Sequence, residues 1–148
     1  DFDAEPWHLA TYQPTTEAYN PDNPLSAKYP LNIVTQRNRL KVHTQFSTHP
    51  WFEELQPEPT LAMNEADAKA RGIHENDYVR VFNDRGYVVL RAHMDAGVRP
   101  GMVRTEHTWW DKQYKDGSFP SLLPLPQGTF RPGVHPFDTL CEVEKTTI

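Results

Sequence analysis

The sequence has no long apolar run and only one cysteine among its 148 residues. Because no stretch of 18 consecutive apolar residues occurs, we expect no membrane-spanning helix. The lone cysteine, Cys141, cannot form an internal disulfide, and it cannot hold an iron–sulfur cluster, which needs about four ligands. We therefore interpret Cys141 as a buried, inert thiol.

Positive charge is also scarce, since 15 Lys and Arg face 20 Asp and Glu for a formal net charge of -5. This charge repels nucleic acid and anionic membranes, so neither is expected as a partner, and any anion site must be local. The sequence contains no H-E-x-x-H motif, paired cysteines, Walker motif, G-x-S-x-G or G-x-G-x-x-G. We therefore assign no metal-ligating and no catalytic residue.

Glycine is rare and proline abundant, at 7 and 14 residues, and mean hydropathy is -0.73. Proline is excluded from helix interiors, so this composition favours short strands with irregular connections. The length suits one domain with a core of its own. The first residues, DFDAEPWHLA, include neither an initiator Met nor a signal-like apolar segment, and we expect the chain to be a piece of a longer protein.

The order of patterns along the chain predicts a barrel domain at residues 29–148, preceded by an extended arm at residues 1–28. Asn83–Gly86 has the composition of a hairpin turn. Six short segments have the pattern of strands, namely Leu31–Val34, Thr60–Met63, Tyr78–Phe82, Tyr87–His93, Met102–Thr105 and Leu140–Glu144. Six strands with long connections favour a closed barrel, because closure removes exposed sheet edges.

One helix is predicted between Asn64 and Gly72. Asn64 suits the N-cap, and Gly72 suits the position just after the helix. Asp67 could also bind an amino group of a ligand, but the first helical turn explains it fully. We expect Arg37–Lys41 to be an exposed turn because it is too basic for burial, and we expect residues 43–51 and 111–136 to be loops.

The first strand ends in polar side chains that can bind a ligand rich in heteroatoms. Thr35 and Gln36 close the strand, and Arg37 follows with a planar guanidinium that can bind a phosphate or a carbonyl group. A second polar cluster comes one short connection later and consists of His43, Thr44 and Gln45. A rigid strand that ends in hydrogen-bonding groups is a common way to build such a site, although solvent-exposed strand ends have similar compositions.

Three stretches in this order resemble a known family, namely PLNIVTQRNRLKVHTQF, EPTLAMNEADAKARGIHENDYVRVFNDRGYVVLRA and GVRPGMVRTEHTWW. The resemblance covers roughly residues 29–110 and is to the C-terminal molybdopterin-dinucleotide-binding domain of the dimethyl sulfoxide reductase family. It implies a mainly β fold, a six-stranded double-psi barrel of the aspartate-decarboxylase-like type with one or two short helices and long loops.

The resemblance also implies a role in closing over bis(molybdopterin guanine dinucleotide) with molybdenum or tungsten. The expected partners are the remaining domains of a longer oxidoreductase, together with an iron–sulfur protein that transfers electrons, and no activity is expected from these residues alone. In such a domain the cofactor-binding residues would be those of the two polar clusters together with His107 and Trp110.

The sequence leaves two other functions open. A stand-alone double-psi barrel could act as an interaction or substrate-recognition module without cofactor, and it would expose an apolar groove while its polar clusters would not converge. A hydrolase could use His107 and Asp111 as a pair, although no motif supports this. The neighbouring Trp109 and Trp110 are interpreted either as a surface that stacks on a pterin or as core and interface residues.

Overall fold

The computed structural model describes residues 15, 17–18, 20, 22–107, 109–124 and 139–148 of the chain. It contains seven strands, β1 to β7 in chain order, at Leu31–Gln36, Thr60–Met63, Tyr78–Phe82, Tyr87–Met94, Met102–Glu106, Asp116–Gly117 and Leu140–Lys145. Three short α-helices, α1 to α3, lie at Leu25–Lys28, Pro50–Leu55 and Glu65–Ala70, and 3₁₀ turns lie at Asp111–Gln113 and Phe119–Leu122. None of the helices in these ranges is long and apolar enough to cross a membrane.

Six of the strands form a closed barrel in the order β2-β5-β1-β7-β3-β4, and pairing between β2 and β4 closes it. Two of the pairs are parallel, β1 with β5 and β2 with β4, and the other neighbours are antiparallel. The two-residue strand β6 adds to the outside of β4. This is the mainly β, six-stranded double-psi barrel expected from the sequence, and the six predicted strands each agree with an observed one.

The barrel encloses an apolar core built from the alternating residues of its strands. In β3 and in β5, buried positions alternate with half-buried ones, as a period of two requires when one face of a strand is inside. The fully buried barrel side chains include Leu31, Ile33, Leu61, Met63, Val79, Val81, Val88, Leu90, Val103 and Val143. Cys141 is buried, as predicted, and burial raises the pKa of its thiol well above the usual range.

Local sequence signals predict the position of α3, of the turns that follow it and of the hairpin between β3 and β4. The Asn64 side chain accepts a hydrogen bond from the Ala66 amide at 2.9 Å, as an N-cap should. Gly72 and Asn76 adopt the left-handed conformation, with φ of 65° and 66°. The hairpin between β3 and β4 is closed by a bond from the Asn83 amide to the Gly86 carbonyl at 3.0 Å.

Three expectations about the connections are wrong. Residues 43–51 are not entirely loop, because α2 begins at Pro50, where proline at the first helical position is favoured. Residues 111–124 contain β6 and both 3₁₀ turns rather than continuous loop. The segment Arg37–Lys41 is not uniformly exposed, since Lys41 is only 7% exposed and Asn38 8% exposed. Aromatic rings and side-chain hydrogen bonds cover these two residues, a possibility that charge alone does not indicate.

The arm at residues 1–28 lies largely outside the described residues. Of its described part, Leu25–Lys28 forms α1, and the buried Glu17 contacts the barrel. Glu17 is paired with Arg85 at 2.5 Å and accepts a hydrogen bond from the Leu140 amide at 3.1 Å. Glu17 thus attaches the arm to the hairpin turn between β3 and β4 and to the start of β7.

Candidate cofactor-binding site

The parallel pairing of β1 and β5 brings two chain segments to the same edge of the barrel. Thr35 pairs with Thr105, and Gln36 with Glu106, so both strands end side by side. Parallel strands run in the same direction, and the residues that follow them therefore emerge together. Arg37 directly follows β1 and His107 directly follows β5, so the two residues start from neighbouring strand ends.

His43 returns to this edge and links the two segments. The Nη1 atom of Arg37 lies 3.3 Å from Nε2 of His43. Because a guanidinium only donates, Nε2 of His43 accepts in this hydrogen bond. The imidazole rings of His43 and His107 have centroids 5.7 Å apart and an interplanar angle of 63°. Three of the eight site residues predicted from the sequence thus form one continuous chain of contacts.

The other five predicted residues lie around this trio. Thr35 is buried and Gln36 half-buried in β1. Thr44 and Gln45 lie in consecutive turns, in which the Gln45 amide donates to the Val42 carbonyl at 3.1 Å. Trp110 is 51% exposed. It lines an open groove of about 730 Å³ together with Thr48, Trp109, Asp111, Lys112 and Pro120. In the described part of the chain, no hydrogen bond or ring contact joins the side chains of Thr44, Gln45 or Trp110 to the trio.

The connection between β1 and α2, residues 37–49, is called the strap from here on. At its start the side-chain amide of Asn38 donates to Gln56 Oε1 and to Glu106 Oε2, each at 2.6 Å. Further along, Gln113 donates to the Ser47 carbonyl at 2.8 Å. These bonds attach both halves of the strap to the segments around β5, and so they fix where His43 can lie.

The strap backbone adopts unusual conformations at two positions. His43 has φ of 53° and Phe46 has φ of 63°, in the left-handed region that L-residues with bulky side chains rarely occupy. Each such residue costs about 1–3 kcal/mol and persists only where surrounding contacts enforce it. Such conformations concentrate at ligand sites, and here one of them directs the imidazole of His43 to the Arg37 side chain.

The centre of the strap carries a buried cation, Lys41. Its Nζ atom lies 3.1 Å from the ring centroid of Trp109 and 4.3 Å from that of Phe52. Burial lowers the pKa of Lys41 to about 8, and the charge of Glu106 opposes this change. A desolvated cation–π contact offsets about 2 kcal/mol of a burial penalty that amounts to several kcal/mol.

Lys41 and its neighbours also have unmatched hydrogen-bonding atoms. Within the described ranges, Lys41 Nζ, Trp109 Nε1 and His107 Nδ1 are buried and have no hydrogen-bond partner. Ammonium and indole groups can only donate. More than about 90% of buried polar groups in proteins have a hydrogen-bond partner. We therefore expect a bound ligand to provide the acceptors for this cluster. The site therefore fits an anionic ligand rich in acceptor atoms.

The hydrolase interpretation finds no support in this geometry. The Asp111 carboxylate accepts from the Ser118 hydroxyl at 2.9 Å, whereas Nδ1 of His107 has no hydrogen-bond partner among the described residues. The proposed His107–Asp111 pair is not formed.

Lys41 and Phe52 were not identified as site residues from the sequence, and Trp109 was interpreted there only as a pterin-stacking or core residue. In the structure these three residues form the walls of one cluster. A signal for α2 was present, because Pro50 at the first helical position and Glu53 in the first turn are typical of a helix start. That helix buries Phe52 against Trp109, with ring centroids 6.5 Å apart. No local pattern predicts that a lysine lies against these rings, because the contact joins segments distant in sequence.

Comparison with known proteins identifies the family of this chain. The family model described as Molydopterin dinucleotide binding domain matches residues 31–129. The chain belongs to this family. The matched range includes strands β1 to β6, the strap and the trio of Arg37, His43 and His107. The chain is therefore a molybdopterin-dinucleotide-binding domain of the dimethyl sulfoxide reductase family.

Curated relatives from two organisms are members of this enzyme group. A presumed catalytic chain of dimethyl sulfoxide reductase from Halobacterium salinarum is 40% identical over 96 residues, which cover 65% of this chain and 12% of that protein. The dimethyl sulfoxide/trimethylamine N-oxide reductase of Cereibacter sphaeroides is 36% identical over 106 residues, or 70% of this chain and 12% of that protein. The chain thus spans about an eighth of the length of these relatives.

A solved structure shares the fold. Acetylene hydratase from Pelobacter acetylenicus superposes with a TM-score of 0.71 at 16% identity, covering 93% of this chain and 21% of that chain. At this identity the similarity concerns the fold alone.

The residues present fit a molybdopterin cofactor, because the unmatched donors Lys41 and Trp109 suit a ligand with anionic oxygen and sulfur acceptors.

Proposed function

We propose that this domain closes over the pterins of bis(molybdopterin guanine dinucleotide) carrying molybdenum or tungsten, inside a longer oxidoreductase chain. The cofactor supplies the redox chemistry when it is bound, and the domain contributes binding, orientation and exclusion of water. The observation that carries the proposal is the contact chain from Arg37 through His43 to His107 at the shared edge of β1 and β5.

The proposed cofactor-binding residues are those of the strand end and the strap, with two from the segment after β5. They are Thr35, Gln36, Arg37, His43, Thr44, Gln45, His107 and Trp110. Arg37 is exposed, and His43 is the one hydrogen-bond partner of its guanidinium among the described residues, so the rest of the fork can bind a phosphate or a pterin carbonyl. Hydrogen bonds from such side chains to thiolate sulfur would shift the reduction potential of the metal.

Exposed apolar side chains are concentrated in the strap and α2, which supports a position inside a larger assembly. Of the seven large apolar side chains that are about half exposed or more in the described residues, five lie between positions 40 and 55, namely Leu40, Val42, Phe46, Trp51 and Leu55. Concentrated exposed apolar area of this kind marks interaction surfaces. In the proposed arrangement other domains of the longer chain cover it, and an iron–sulfur protein delivers or removes electrons.

Arg37→Ala in the longer chain tests the proposal. We expect pterin and metal content to fall by about tenfold, because a charge-assisted contact to an anion contributes about 1.5–3 kcal/mol. Pterin is measured by fluorescence after oxidation, and the metal by elemental analysis. The matched control is Arg99→Ala, which removes an exposed arginine in the turn before β5, at the other end of that strand from His107. Full cofactor content in the Arg37 variant would remove Arg37 from the site.

A further inference from the structure

Lys41 is an exception to the rule that buried charges are paired. The residue is 7% exposed, and its ammonium nitrogen has no hydrogen-bond partner in the described part of the chain. A lysine with a long flexible stem normally extends its ammonium to water. Here the stem instead brings the charge into contact with the faces of Trp109 and Phe52.

The surroundings of Lys41 that the structure describes do not supply the missing acceptor. Glu106 is the acidic group whose charge acts on Lys41. Its Oε2 atom already accepts hydrogen bonds from Asn38 at 2.6 Å and from Gln56 at 3.0 Å. The two aromatic rings stabilise the positive charge but accept no conventional hydrogen bond. The indole nitrogen of Trp109, beside the ammonium, is a second donor without a partner among the described residues.

The position of Lys41 relates this buried charge to the site. Lys41 lies in the strap between Arg37 and His43, and its aromatic partner Trp109 follows His107 by two residues. The unmatched donors therefore belong to the same two segments that form the trio. Real proteins break the rules of burial chiefly at functional sites, where a bound ligand compensates for the cost.

We propose that Lys41 is a further cofactor-binding residue, whose ammonium meets an anionic acceptor group of the cofactor when the domain closes over it. This inference rests on the proposed function and extends its set of residues. The acceptor is a phosphate oxygen or a thiolate sulfur, since both are anionic and accept charge-assisted hydrogen bonds. Lys41 thus acts through binding and not through stabilisation of the isolated fold.

Two substitutions in the longer chain separate charge from shape. Lys41→Met keeps an unbranched apolar stem and removes the charge, whereas Lys41→Arg keeps a cation that stacks well on aromatic rings. Lys69→Met is the control, because Lys69 is an exposed lysine on α3. Metal, pterin and guanine nucleotide are quantified separately in each purified protein.

We expect Lys41→Met to reduce bound cofactor by about tenfold or more, since removing one member of a buried charge pair is strongly unfavourable. Lys41→Arg should retain most of it, and Lys69→Met all of it. Loss of nucleotide with pterin retained assigns the ammonium to the phosphates, whereas loss of every component assigns it to the pterin and thiolate end. Full cofactor content in Lys41→Met overturns the inference.

Thermal unfolding of the 148-residue chain excludes a merely structural role. Replacing a buried unpaired cation with an apolar side chain should leave the unfolding midpoint unchanged or raise it. A lowered midpoint in Lys41→Met, together with loss of cofactor, would show that the lysine only supports the fold and would also overturn the inference. If the unsubstituted longer chain contains no pterin, the proposed function itself fails, a result distinct from either of these.

Discussion

The barrel and the strap are neighbours that satisfy opposite rules. In the barrel, apolar side chains fill a closed interior, and the strands pair with one another around the ring. In the strap, left-handed residues, a buried cation and exposed apolar side chains occur within 13 residues. The barrel is thus organised for stability, and the strap for contact with a ligand or another domain. Substitutions in the barrel should therefore lower the free energy of unfolding more than substitutions in the strap.

The largest expected contrast is between two leucines. Leu61 is fully buried in β2, whereas Leu40, in the strap, is 54% exposed. We expect Leu61→Ala to lower the free energy of unfolding by about 3 kcal/mol, because it removes buried contacts and leaves a cavity. Leu40→Ala should change it by less than about 0.5 kcal/mol. Denaturant unfolding of both variants measures the difference, and equal effects would contradict the division between the two regions.

A smaller effect is expected from the protonation of Lys41. Its pKa is lowered from 10.5 in the unfolded chain to about 8 in the folded protein, because burial disfavours the charged form. Between these two values the unfolded state binds more protons, so the free energy of unfolding should rise as pH increases from about 8 to about 10.5. The shift sets an upper limit of about 3 kcal/mol on this gain, and screening by solvent lowers it.

Lys41→Met provides the matched control for this pH dependence. Without the amine, the rise between pH 8 and 10.5 should disappear, while the other titrating groups of the protein remain unchanged. Unfolding in urea at pH 7.5, 9 and 10.5 measures both proteins. An unchanged slope in the variant would show that another group titrates in this range.

The same division explains what the sequence could predict. The strands of the barrel follow from alternation over a few residues, as in Tyr78–Phe82, and from turns such as Asn83–Gly86. The packing of Lys41 on Trp109 joins segments 68 residues apart, and no local pattern encodes it. The polar clusters after β1 were recognisable, but which of their side chains meet depends on the parallel register of β1 and β5.

The smallest effect tests a feature that is local in both sequence and structure, the cap of α3. The Oδ1 atom of Asn64 accepts from the Ala66 amide at 2.9 Å, and its Nδ2 atom donates to the Val98 carbonyl at 2.8 Å. Asn64→Ala should lower the free energy of unfolding by about 1 kcal/mol, whereas Asn64→Asp keeps the cap and should cost less. Asp67 of α3 accepts from the Gly101 amide at 2.8 Å, just before the start of β5 and so at the opposite end of that strand from His107. Cofactor content should therefore stay unchanged in both variants. Loss of cofactor on removal of this cap would show that the barrel and the strap are coupled, and the division between them would then have to be abandoned.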